Sequence, residues 1–185
     1  MKSFYRFVLL AALCLTPWWS RGVLMVPLTV EELTQRAELV LHGTVLRQDC
    51  LKDSAGRIYT RIEFQVAEFW KGNLATNTFI IVHGGGTVGD ERVEVDGQAA
   101  YAAGEELVAF VRLNPRGEGV SIGLAQGKFT VWKDQASGER FAHNLFHGQL
   151  KERENPEQAA LRSAAGNPAR LNLATLRARV NGGSR

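Results

Sequence analysis

The sequence predicts a mainly β domain, a small closed barrel or a sandwich, with a short helix before the strands and a helical tail after them. Three observations carry this. About seven short apolar or alternating stretches recur at near-regular spacing, no helical period separates them, and the helical patterns lie at the two ends. The 185 residues are 45% hydrophobic and 22% charged, with 19 glycines and 5 prolines. That composition supports a folded domain and excludes a disordered or collagenous chain.

Residues 1–22 run from a basic start at Lys2 and Arg6 through an apolar stretch, Phe7 to Leu15, to Pro17. This is the pattern of a secretory signal peptide, and the stretch is shorter than the roughly 20 apolar residues a spanning helix needs. Small residues at Ser20 and Gly22 place the expected cleavage before Val23, and Leu13 ahead of Cys14 argues against lipidation. The expected location is exported, periplasmic or secreted, with no stable membrane anchor after cleavage. The expected organisation is a signal peptide over 1–22, a β-barrel domain over 23–148, and a charged, partly helical tail over 149–185. Removal of the signal leaves Cys50 alone, so no intramolecular disulfide can form. Cys50 is expected as a half-buried small hydrophobe, with pairing between chains as the alternative.

Thr29 to Glu32 spell a capping box, in which the threonine oxygen accepts from a first-turn amide and the glutamate reaches back to the cap. A short helix is expected through Glu38, with Leu33 and Ala37 on its packing face. Leu39 to Arg47 reads as a strand. Lys52 to Arg57 is a polar turn, and Ile58, Thr60, Ile62, Phe64 and Val66 alternate with polar neighbours in a long half-buried strand that runs to Phe69. Thr78 to His83 is the next strand, broken by Gly84 to Gly86. Arg92 to Asp96 is expected as an edge strand or hairpin arm. Glu106 to Leu113, with its apolar run from Leu107 to Val111, reads as a buried strand. Val120 to Ile122 and Lys128 to Lys133 complete the set, with an irregular arm over Phe141 to Phe146. Leu173, Leu176 and Val180 fall at helical spacing, so residues 171–180 are expected as a terminal amphipathic helix whose arginines form a solvated face.

The net charge of +3 and pI near 9.1 invite a nucleic-acid reading, which the distribution removes. Residues 1–21 carry +3, residues 149–185 carry seven basic and three acidic side chains, and the intervening stretch holds 12 basic against 16 acidic, or −4. An acidic body repels phosphate, and no basic and aromatic interleaving marks a nucleic-acid face.

Several motifs look like chemistry. His83 to Gly86 has the form of an oxyanion loop, and Gly119 to Gly123 matches a nucleophile elbow around Ser121, with Asp134 and His143 or His147 downstream in the order of a hydrolase triad. An elbow must lie between a strand and a helix, whereas a β-rich run follows Ser121. Gly123 to Phe129 approaches a phosphate-binding loop but has three residues between its glycines, where four are required, and Phe129 where a hydroxyl must hold magnesium. His143 and His147 are spaced i, i+4 without the companion glutamate of a zinc helix. Asp90, Glu91, Glu94 and Asp96 lack the spacing of a calcium loop and read as a charged edge. No cofactor, metal or catalytic set is expected.

Four segments, Ala37 to Val45, Tyr59 to Gly72, Gly104 to Val111 and Gly123 to Phe129, together resemble a group of uncharacterised secreted bacterial proteins. Their strand plan is similar to the OB-type barrel of tissue inhibitors of metalloproteinases and netrin-like modules. The resemblance covers about residues 29–132 and consists of strand-and-turn signatures. It implies an OB-like closed or partly open barrel. Those inhibitors chelate zinc through an N-terminal cysteine in a disulfide-rich frame; here Val23 and a solitary Cys50 stand instead, so inhibition would require another mechanism.

The function expected is a non-catalytic exported binding or structural module with a protein partner. Phe69 and Trp70 are the candidate contacts, because adjacent strand positions face opposite ways and one ring is expected outward. The alternatives are a protease inhibitor or protease-associated accessory and, as the enzyme class, a serine hydrolase using Ser121.

Overall fold

The computed structural model describes residues 25–148 and 170–183. The expected signal peptide and its cleavage site, Cys14 included, lie outside the described residues. So does the first part of the expected tail.

Helix α1, Val30–Arg36, begins at the capping box: Thr29 Oγ1 accepts from the Glu32 amide at 3.1 Å, and Glu32 Oε2 accepts from the Thr29 amide at 2.8 Å. The strands that follow are β1 (Leu39–Lys52), β2 (Ile58–Lys71), β3 (Thr78–Gly84), β4 (Gly86–Val88), β5 (Glu91–Val93), β6 (Glu106–Leu113), β7 (Gly119–Ser121), β8 (Lys128–Lys133), β9 (Arg140–His143) and β10 (Leu171–Asn172). A turn of 3₁₀ helix, Leu124–Gly127, joins β7 to β8, and helix α2, Leu173–Gly183, ends the described chain. The protein is mainly β, with a helix at each end of the strands, as the period-2 segments require.

Eight strands form one sheet in the order β1-β2-β3-β7-β6-β8-β9-β10, with β1 paired in addition to β6; β4 and β5 form a separate hairpin. All pairings are antiparallel except that of β3 with β7, made through Ile81 and Gly119. The first half of β1 therefore has two partners. Leu39 to Thr44 pair with β6, while the strand pairs with β2 from Val40 to Lys52. Serving both requires β1 to bend, and its register slips at three places, one of them between His42 and Gly43. A Cβ at position 43 would collide with the Gln65 carbonyl of β2, so glycine is needed there.

Two apolar clusters share the inner strands. Leu41, Ile62, Phe64, Ile81, Leu107, Ala109 and Val111 fill the inner one. Val40, Trp70, Val108, Phe110, Phe129 and Val131 turn the other way and meet α1 and α2 in the second. This explains the unbroken apolar run in β6, whose Leu107, Ala109 and Val111 face one cluster and Val108 and Phe110 the other.

The terminal residues belong to this core. Leu171, Leu176 and Val180 are fully buried, and β10 pairs with β9 through Leu171 and Ala142. The arginines of α2, expected as a solvated face, reach across the fold. Arg179 holds Glu31 of α1 with two bonds of 2.8 Å, and Arg177 pairs with Glu68 of β2. Sequence spacing foresees the helix; burial shows that it closes the second cluster.

Candidate functional site

The register aligns three polar side chains at one end of the inner cluster. Cys50 of β1 lies opposite Thr60 of β2, and Thr60 lies opposite His83 of β3. Directly opposed residues project to the same side of a sheet, and Thr60 follows the inward series Phe64, Ile62 by two residues at each step. The row is thus the polar rim of an apolar interior. Thr60 Oγ1 donates to the Gly85 carbonyl at 2.8 Å and lies 3.5 Å from the Cys50 sulfur. Gly86 passes directly over both: a Cβ there would stand 2.7 Å from each side-chain atom, and its φ of +136° suits glycine alone. Gly84 to Gly86, expected as a break between strands, thus carries the chain over the rim and into β4.

Tyr101 enters the row from the loop before β6. Its ring stacks on His83, with centroids 5.9 Å apart, and its hydroxyl lies 2.9 Å from Ser121 Oγ. Lys128 Nζ sits 4.9 Å from the ring centroid and 2.6 Å from Glu105, whose carboxylate also accepts from Thr130 at 2.7 Å. Burial of the phenol raises the Tyr101 pKa to about 12, against the bond from Ser121, which lowers it. Burial likewise lowers the pKa of His83, and the Gly84 carbonyl, 2.8 Å from Nδ1, acts in the opposite sense. A carbonyl only accepts, so Nδ1 carries the proton of this bond and Nε2 is left as an acceptor in the neutral ring.

Two concavities flank the glycine segment. One, of about 640 Å³, is lined by Cys50, Thr60, His83, Gly86, Asp96 and Tyr101 among others. The second, of about 600 Å³, is more apolar and lies on the outer side, where Ile58, Tyr59, Val82, Val93, Val95 and Val120 meet. Three of these, Val93, Val95 and Val120, are exposed. An apolar side chain left in water on its own is ordinary, but three in one depression form a patch.

The hydrolase residues are placed as follows. Ser121 ends β7 and is followed by a 3₁₀ turn; its hydroxyl is bonded to Tyr101. Asp134 accepts from the Ala136 and Ser137 amides and pairs with Arg170, so it holds the turn between β8 and β9. His143 lies on β9 opposite Thr130, and His147 is buried with Nε2 2.8 Å from the Leu28 carbonyl. His83 reaches Ser121 only through the intervening phenol. Among the described residues, His, Cys, Asp and Glu gather nowhere in a group of three or more suited to a metal. No helix among them is long and apolar enough to cross a membrane.

Phe69 and Trp70 do face opposite ways, and both rings pack. Trp70 is buried in the second cluster, its indole N–H donating to Glu68 at 3.0 Å, and Phe69 is half-buried against the first. Among the exposed apolar side chains, Val93, Val95 and Val120 share one depression. The first two belong to a segment whose charged residues dominate its pattern, although their spacing of two already puts them on one face of an extended chain. Tyr101 stands in an Ala-Ala-Tyr-Ala-Ala stretch with no periodic signal at all.

No family model matches the chain, and no curated protein matches it.

Proposed function

We propose that this protein is an exported, non-catalytic module that binds another protein through the outer groove beside the glycine segment, and that its scaffold is an OB-type barrel. The observation that carries the binding reading is the convergence of Val93, Val95 and Val120, all exposed, in one apolar depression of about 600 Å³. Water gains when such a patch is covered, and apolar floors with charged margins are what protein partners cover. The barrel reading is supported by β1 pairing with both β2 and β6, and by the parallel contact of β3 with β7, which links the remaining strands in succession. The export reading rests on the basic start, short apolar run and small residues of positions 1–22.

The test is capture from the protein's own secreted fraction with the wild type and with Val95→Asp, a change at a solvent-exposed position. The expected result is a defined partner retained by the wild type and lost with the charged variant. Equal capture by both would remove the groove from the interface, and turnover of ester or peptide substrates abolished by Ser121→Ala would end the non-catalytic reading.

A further inference from the structure

The paired charges at the groove's margin differ in exposure. Arg57, in the turn before β2, bonds Asp53, and Arg116, in the turn before β7, bonds Glu118; the guanidinium side chains are 81% and 62% exposed, their carboxylate partners only 21% and 20%. The carboxylates are also spent on local structure. Asp53 accepts from the amides of Ala55 and Arg57, and Glu118 from the side-chain amide of Asn114. Each arginine engages its carboxylate through one side of its fork, leaving N–H groups that face water. Arg116 also lies over the Tyr59 ring in the groove, 5.9 Å from its centroid. Arg61, opposite Val82 across β2 and β3, adds its positive charge to that of Arg116 in the field of Glu118. Lys52, which precedes Asp53, pairs with Glu91 of β5. A chain segment that is acidic as a whole thus presents outward guanidinium groups beside this apolar depression.

β5 supplies the other element of recognition. All three of its residues are exposed, it pairs with β4 alone among the described residues, and Val93 continues to Val95 along the groove. An unpaired strand edge beside apolar pockets at a spacing of two fits an extended chain.

We propose, resting on the binding reading above, that the groove receives an extended segment of a partner protein whose apolar side chains are flanked by carboxylates. The apolar side chains cover Val93, Val95 and Val120, and the carboxylates meet Arg57 and Arg116. Exposed ion pairs contribute modestly each, so the charge acts as a selector among apolar segments.

The test uses three labelled peptides with one alternating-valine centre and ends of glutamate, serine or lysine, titrated against the purified protein by fluorescence anisotropy. The glutamate-ended peptide binds about tenfold more tightly than the lysine-ended one, as two exposed ion pairs allow. The preference shrinks in high salt and in Arg57→Gln/Arg116→Gln, whose unchanged thermal midpoint shows that folding is intact. Equal affinity of all three peptides, or a lysine preference, overturns the charge selection and leaves the apolar groove standing. Absence of binding by every peptide, with capture of the natural partner still lost in Val95→Asp, overturns the extended segment while the binding reading survives. Concentration-dependent self-association abolished by Val95→Asp would make a second copy the occupant and also overturn the proposal.

Discussion

The Tyr101 hydroxyl lies 2.9 Å from Ser121 Oγ, joining a loop residue to the end of β7 and placing the phenol ring against His83. Removing that hydroxyl in Tyr101→Phe keeps the stacked ring and loses one bond between partly buried groups. The expected cost is about 1 kcal/mol, read from denaturant midpoints. In the wild type the folded phenol ionises at about 12 against an ordinary 10.0. Its contribution to stability is therefore complete below pH 10 and lost as the pH rises through 12, since the unfolded chain releases the proton first. A spectroscopic phenolate titration showing every tyrosine ionising near the ordinary value would contradict this.

Ser121 has a phenol partner where a nucleophile needs a base. Incubation with a serine-directed fluorophosphonate followed by intact-mass measurement is expected to show no adduct. A single adduct lost in Ser121→Ala would restore the hydrolase reading.

Helix α2 is expected to govern the stability of the whole domain. Leu176 is fully buried among α1, the sheet and its own helix, so Leu176→Ala costs about 2–5 kcal/mol through lost burial and the cavity left behind. Arg179→Ala, which releases the exposed Glu31, costs at most about 1 kcal/mol and less in salt. The Arg179 bond is the main cause of the lowered Glu31 pKa, so this contribution is present above the ordinary carboxylate pKa and fades as the pH falls through the lowered one. Chemical denaturation of both variants at neutral and acid pH separates the two effects.

At Gly43 the added methyl group of alanine meets the Gln65 backbone carbonyl, which has no freedom to move without breaking the β1–β2 ladder. Gly43→Ala is expected to destabilise by about 3 kcal/mol or more. Gly56→Ala, where open space surrounds the position, carries only the strain of its positive φ. Thermal midpoints of the pair measure the difference.

Local chemistry made much of the architecture legible. The capping box fixes the start of α1, the alternation from Ile58 to Val66 fixes the facing of β2, and the apolar run from Leu107 to Val111 marks a strand covered on both sides. What escaped depends on residues distant in sequence. Nothing near Arg177 or Arg179 announces Glu68 or Glu31, and the role of Tyr101 depends on β3 and β7 arriving beside its loop. The charged residues around Val93 and Val95 masked the patch that those valines form with Val120 from another strand. Hydrophobic periodicity reports which face of an element is covered; it carries no record of which other element does the covering.

The burial of Leu171, Leu176 and Val180 also has a temporal meaning. Synthesis delivers Val30 and Leu33 early, yet the residues that cover them come well over a hundred positions later. Until then the sheet has an uncovered apolar side, and a nascent chain lacking α2 has no complete second cluster to fold around. Contacts this distant in sequence form slowly.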